Sequence, residues 1–524
     1  MKQCKKVQII LTVVVICISL LAGCNASKQA IKNDAGKKQQ QDSKYLVSDE
    51  PIELSIFLLD GIWHFDNEWP VFKKAEEMTN VTLSGTLSKS VSDGTQAFNL
   101  MMASGEIADI VQHYGKDDFF RYGAEGAFVA LDDLIEQHAP NIKAFLEKRP
   151  DVKKFITAPD GKIYYIPYVT DGEVAEGWFI RKDWLDKLGL QEPKTVDEFY
   201  AVLKAFKEQD PNGNGQKDEI PYFNRQASPG NERSVSALYI FWDAYKDWCV
   251  KDGKVCYGPY EPEFRTAHEN IAKWYQEGLI DNEIYTRGFK AREILLGNNT
   301  GGSTHDWFGS TAQYNDTLKD KIPGFEFVPF APPGGKEATR RNPDSDGGWA
   351  ISSSNKKVVE TIKYFDFWFT EEGRRLMNFG IEGVHYDMVD GKPVFKENII
   401  KGETPAVDQL RTAGAQIAIG FHQDFEYERQ WLNPIALKGI DLYIENQYPV
   451  EQFPNLAFTQ EEKKRLNEIM TPIQTYRDEM TQKWILGGEA VETSFDKYLQ
   501  ELRKMGIEEA IKITQTAYDR YMNN

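Results

Sequence analysis

Cysteine and histidine are scarce in this chain, five of one and seven of the other among 524 residues. His64, His113, His138, His268, His305, His385 and His422 are scattered singly, with no pair at metal-ligand spacing. No H-E-x-x-H, nucleophile elbow, P-loop or G-x-G-x-x-G is present, which excludes the enzyme classes those motifs define. Positive charge is short too: 62 Lys and Arg face 80 Asp and Glu, a formal charge of −18. A surface that acidic repels a phosphate backbone, so nucleic acid is excluded as a partner. Long apolar runs are missing beyond residue 22, so nothing after the N-terminus has the length of a membrane span. These absences leave one chemistry open, because the paired carboxylates of a glycosidase leave no sequence signature.

What is present begins at the N-terminus. Lys2, Lys5 and Lys6 precede an uncharged, mostly apolar stretch from Val7 to Ala22, and Leu21-Ala22-Gly23-Cys24 closes it. A basic start, a short apolar segment and small residues before a cysteine form the pattern of a lipoprotein leader. The expectation is a leader at 1–23, diacylglycerol on Cys24, and a chain tethered to the extracellular face of the cell membrane. Residues 24–48 then read as the lipidated cysteine and a flexible spacer, since Lys, Gln, Ser, Asn and Asp there bury nothing.

Export leaves two cysteines. Cys249 and Cys256 flank Val-Lys-Asp-Gly-Lys-Val, and Asp252-Gly253 is a two-residue hairpin signal that sets them opposite one another. An oxidising compartment permits a disulfide, but a directly opposed, hydrogen-bonded pair is not its favoured geometry. A disulfide and two unpaired thiols both stay open.

Ile52, Leu54, Ile56 and Leu58 alternate as a strand, followed by a helix near Pro70–Thr79, a strand at Val81, a helix near Ala97–Ser104 and a strand at Ala108–Val111. That order predicts an α/β sheet with crossover helices. Lys162–Tyr168 reads as a further strand. Thr195-Val-Asp-Glu198 is a capping box opening a helix with Val196, Phe199, Tyr200, Leu203 and Phe206 on one face. After about Thr459 the chain is helical in pattern.

The sharpest chemical signal is Asp210-Pro-Asn212-Gly-Asn214-Gly215-Gln216-Lys-Asp218-Glu219. Side-chain oxygens at loop positions one, three and five, with glycine at six, match the opening of an EF-hand-like calcium loop. Position seven offers the carbonyl of Gln216. Position twelve departs from the pattern, being Pro221 where a bidentate Glu belongs; Asp218 and Glu219 supply the missing charge. The expected role for Ca2+ is structural.

Around this loop the chain resembles a known family. Gly177-Trp-Phe-Ile-Arg-Lys-Asp-Trp-Leu-Asp-Lys-Leu-Gly-Leu190, the Thr195 helix and Asp210–Tyr222 together resemble family 1 extracellular solute-binding lipoproteins, of the long oligosaccharide-binding type that includes alginate-oligosaccharide-binding proteins. Phe98–Ile110, Gly348-Trp-Ala-Ile-Ser352 and Gly380-Ile-Glu-Gly-Val-His-Tyr386 extend the match. The resemblance implies a type II periplasmic-binding-protein-like fold, two α/β lobes joined by hinge strands with a cleft between them. Lobe one is expected at 49–170 with 302–350, lobe two at 171–301 with 351–524. It further implies an oligosaccharide ligand, ABC permease subunits as partners, a monomer, no catalysis, and a calcium loop set away from the cleft.

For ligand contacts, Trp307 resembles a cleft tryptophan on which a sugar's C–H face stacks. Glu382, His385 and Tyr386 match a glycine-flanked ligand loop, although some relatives carry Trp where this chain has His385. Tyr114, Trp178 and Arg181 stand at strand-like lobe edges, and Arg181 could pair with a uronate carboxylate. A surface glycoside hydrolase and a receptor for a non-sugar solute such as a peptide are the alternatives.

Overall fold

The alternation of Ile52, Leu54 and Ile56 buries one face of a strand, Ile52–Phe57, in a five-stranded sheet. The computed structural model describes residues 44–225, 235–339, 344–402 and 404–523. The chain divides into two units, Met1–Lys44 and Tyr45–Asn524, and everything below concerns the second. The leader and Cys24 lie outside the described residues.

The first sheet runs in the order Val81–Gly85, Ile52–Phe57, Ile110–Tyr114, Asp344–Ile351, Ile166–Val169. Only Asp344–Ile351 runs against the others. The register sets Leu54 opposite Leu83 and Ile56 opposite Ile110, which stacks aliphatic side chains into one core. The expected strand at 162–168 is shorter and later, Ile166–Val169. Ile163 instead bonds back to Leu131. Helix Pro70–Thr79 begins on a proline, whose missing N–H costs nothing there, and ends at Asn80 in the left-handed conformation.

The second sheet has the order Phe327–Pro329, Glu176–Arg181, Gly301–Trp307, Ile220–Tyr222. Here Glu176–Arg181 is the antiparallel member, and Gly301–Trp307 and Ile220–Tyr222 run parallel. Thr195 accepts from the Glu198 backbone and Glu198 reaches back to Thr195, completing the capping box of helix Val196–Glu208. Phe199, Leu203 and Phe206 of its apolar face are buried. Thr459 and Glu462 repeat the device at the start of Gln460–Ile485, followed by Val491–Met505 and Ile507–Asn523. Cys249 and Cys256 are bonded across the hairpin of Trp248–Lys251 and Lys254–Tyr257. Asp252 and Gly253 both take positive φ, 52° and 76°, as a tight primed turn requires.

Each sheet has its own buried core. One core is drawn from 47–169 and 349–427, the other from 174–330 and 436–510. The lobe boundaries read from the sequence differ from this at two places. Residues 302–330 belong with the second sheet, because Gly301–Trp307 pairs with Glu176–Arg181. Residues 351–427 belong with the first, where Trp349 stacks on Phe365 at 4.1 Å. The chain therefore passes between the cores three times, near 170–173, 331–348 and 428–435.

Candidate functional site

Parallel strands aim their C-terminal ends at the crossovers, the place where open α/β sheets gather ligands. In the first sheet that end carries Tyr114, and in the second it carries Trp307. Tyr114 is 45% exposed. Its hydroxyl donates to Asp60 Oδ1 at 2.5 Å, while Asp60 Oδ2 accepts the Ala418 N–H, so the ring is held in place.

Trp307 is 41% exposed, with a polar brace behind it. Asp306, buried, accepts from Arg225 at 2.6 and 2.8 Å and from Arg292 at 3.0 Å, and takes the Trp307 backbone N–H at 2.8 Å. On the other side of Asp306, buried His305 meets Glu337 on the middle crossover at 3.1 Å. Burial alone would lower the His305 pKa; the adjacent carboxylate outweighs it and raises it. Trp307 lines a small cavity of about 260 Å3 with Val174 and Ala175, where the second core begins, and with Glu428 and Leu432 of the third crossover. Glu428 and Leu432 were not legible as site residues. The one hint was the aromatic density of Phe425, Tyr427 and Trp431.

The other expected contacts are placed differently. Trp178 is fully buried, edge-on to His305 and stacked on Phe241 at 4.9 Å. Arg181 is 1% exposed, bonded to Asp183 and sandwiched by Trp184 and Phe325. Both are core residues, since both faces of this strand are covered, so neither is presented to a cleft. Of the three expected contacts in the glycine-flanked loop only Glu382 is exposed. His385 is buried and accepts the Ile381 N–H at 2.9 Å through Nδ1, and burial lowers its pKa. Tyr386 packs on Phe379 and bonds Arg375. His385 and Tyr386 thus build the loop rather than line a surface.

The Asp210 loop sits at the opposite end of the second sheet, just before Ile220, which pairs with Gly301. From Gly301 to Trp307 is six residues of strand, about 20 Å. Lys187 and Lys207 pin the loop's two ends by donating to the carbonyls of Pro211 and Glu219. Asp210, itself at φ 47°, accepts from the N–H groups of Gly213, Asn214 and Gly215. The side-chain amides of Asn212 and Asn214 donate to Asp218, and the Asn214 oxygen accepts the Gln216 N–H. Among the described residues no three His, Cys, Asp or Glu side chains are grouped to hold a metal. One observation nevertheless fits a cation. Glu219 is fully buried and neither carboxylate oxygen has a hydrogen-bond partner. Burial, with Asp218 and Asp210 nearby, raises its pKa. Turning the two asparagine amides over would bring their oxygens toward Asp218, which only a positive charge would favour.

With this geometry in hand, comparison with known proteins is direct. The model of the bacterial extracellular solute-binding protein family matches residues 65–375. The fructooligosaccharide ABC transporter substrate-binding protein FusA of Streptococcus pneumoniae is 29% identical over 487 residues, 87% of this chain and 88% of that protein. The polygalacturonan/rhamnogalacturonan-binding protein YtcQ of Bacillus subtilis is 26% identical, covering 98% of this chain and 99% of its own. Among solved structures, the alginate-binding protein AlgQ2, described as without calcium ion, superposes with a TM-score of 0.72 at 43% identity over 91% of this chain and all of that one. The two-lobed, type II periplasmic-binding fold is shared with these neighbours.

Proposed function

The chain belongs to the bacterial extracellular solute-binding protein family, and on that premise we propose that it is the lipid-anchored capture subunit of an ABC importer for an oligosaccharide. The observation that carries the saccharide reading is Trp307, a half-exposed indole braced from behind at a strand end and facing crossover residues. An indole face stacks on the apolar face of a sugar ring, while Glu428 beside it is an acceptor for hydroxyls. Tyr114 and Glu382 are the other expected contacts with exposed side chains, and both belong to the opposite lobe.

Because the Trp307 cavity draws on the third crossover, a ligand there interacts differently with open and closed lobes. That difference is all a receptor needs to shift between the two. The permease partner supplies the transport energy. Tethering through Cys24 raises the effective concentration of the loaded protein at the membrane, and the polar spacer gives it reach. Asp210, Asn212, Asn214, Asp218, Glu219 and the Gln216 carbonyl would hold a structural Ca2+. That ion would supply the counter-charge that the Glu219 carboxylate lacks, about 20 Å from Trp307.

Isothermal titration against a panel of neutral and uronate oligosaccharides tests the reading. One panel member should bind, and Trp307→Ala should weaken it by about 10- to 100-fold. Turnover of a saccharide would replace the receptor reading with a hydrolase. Binding of peptides but no sugar would replace it with the non-sugar class.

A further inference from the structure

A second and larger cavity, about 1240 Å3, shares no lining residue with the Trp307 pocket and contains none of the residues that the sequence marked for ligand contact. Its surface includes the first crossover, Thr170–Glu173, and Phe425. Arg149 and Asp151 reach it from the first lobe, and the disulfide-closed hairpin from the second. The C-terminal helix adds Tyr518 and Tyr521.

Two properties define what such a groove takes. Tyr245, Trp248, Phe425, Phe453, Tyr518 and Tyr521 are all half-buried, so their rings are neither core nor loose surface. Phe453 links Trp248 and Tyr518 into a row, with ring centroids 6.4 and 6.3 Å apart. A continuous aromatic row suits a chain of apolar-faced rings. The charged lining is net negative: Asp151, Asp171, Glu173, Asp247, Asp252 and Glu451 line it with Arg149, and Arg149, Arg374 and Arg477 bridge Asp151, Asp171 and Asp247 in turn. Carboxylates accept hydrogen bonds and donate none, which suits hydroxyl groups and opposes a uronate or phosphate. The volume exceeds that of common small-molecule pockets, so an extended saccharide fits the space better than a single small amine.

We propose that this groove is a saccharide site in its own right, separate from the Trp307 pocket and selective for uncharged chains. It rests on the saccharide reading of the chain, but not on Trp307. Because both lobes and a crossover line it, its occupancy also biases the hinge.

The test is isothermal titration of the full chain with the neutral trisaccharide kestose, a neutral tetrasaccharide, a galacturonate tetramer and spermine. Trp248→Ala, Tyr521→Ala and Trp307→Ala are compared with the unaltered protein, each checked for an unchanged melting temperature. Tyr521 lies at the end of the last helix, so its truncation keeps the test informative if Trp248→Ala unfolds. The expected result is neutral-saccharide binding weakened about tenfold or more by Trp248→Ala and Tyr521→Ala, with any galacturonate binding unmoved by either. Neutral binding that survives both substitutions but falls with Trp307→Ala overturns this site and leaves the proposed function standing. Spermine binding lost in the groove variants, with neutral saccharides unaffected, reassigns the groove to cations and overturns the proposal. No saccharide binding at all overturns both.

Discussion

Glu219→Gln should stabilise this protein without calcium and destabilise it with calcium. Glu219 has no exposed surface and neither oxygen has a partner. Leaving a buried polar group unsatisfied costs roughly 1–3 kcal/mol, and a charge more. Glutamine removes the charge but keeps an amide that also wants partners, so the net relief is about 1–2 kcal/mol. For a lobe of this size that is roughly 2–8 °C in Tm. With calcium present the sign reverses. At an ion concentration about 100-fold above Kd, binding contributes about 2.7 kcal/mol, and glutamine removes one of the charged ligands from that site. The assay is calorimetry of both proteins in EDTA and in millimolar calcium. The two melting curves should exchange order between the conditions. If the order is the same in both, or if calcium moves neither curve, Glu219 is not a calcium ligand. Acid gives a second check in EDTA. A carboxyl whose native pKa is raised favours the native state when protonated. The handicap of the unaltered protein should therefore be present above its native pKa and vanish as pH falls toward the ordinary 4.5.

The buried His305–Glu337 pair predicts a pH dependence of the same sign in a higher pH range. The native His305 pKa is raised, so its stabilisation is full below the ordinary 6.5 and is lost as pH rises through the native value. Glu337→Gln should then cost about 3–5 kcal/mol at pH 6, as for breaking a buried pair, and clearly less at pH 9. Urea melts at the two pH values measure this, and a gap that does not change with pH would refute the pairing. Thr195→Ala removes a side-chain acceptor from the Glu198 N–H and should lower stability by about 1 kcal/mol. A loss below 0.3 kcal/mol would show that the capping box bears little on the fold.

Several elements of both lobes were legible because their signals are local. Alternation at Ile52–Ile56, a proline opening Pro70–Thr79 and the capping box at Thr195 each depend on residues within one turn or one strand. The lobe boundaries were not, since pairing between Gly301–Trp307 and Glu176–Arg181 joins segments more than 120 residues apart, and nothing in either strand names its neighbour. The same limit explains Trp178 and Arg181. Strand periodicity says that alternate side chains turn opposite ways, but both faces of this strand are covered, by Phe241 on one side and Phe308 on the other. His385 was misleading for a different reason. A histidine between two glycines and a tyrosine has the composition of a contact loop, yet its ring nitrogen caps the Ile381 N–H and so holds the loop's own shape.

The strand Gly301–Trp307 separates two kinds of chemistry that lie close in the sequence pattern but not in space. At its N-terminal end, beside Ile220, the carboxylates are gathered by backbone N–H groups and by asparagine amides, and the surplus charge on Glu219 asks for a cation. At its C-terminal end, Asp306 is bonded to two arginines and leaves the indole of Trp307 next to the crossovers. An ion at the first end can therefore stiffen the lobe without competing for the ligand's hydroxyls at the second. The Trp307 cavity lies at that second end and draws on Glu428 and Leu432 of the third crossover, while the larger groove draws on Thr170 to Glu173 of the first, residues that no periodic pattern marks.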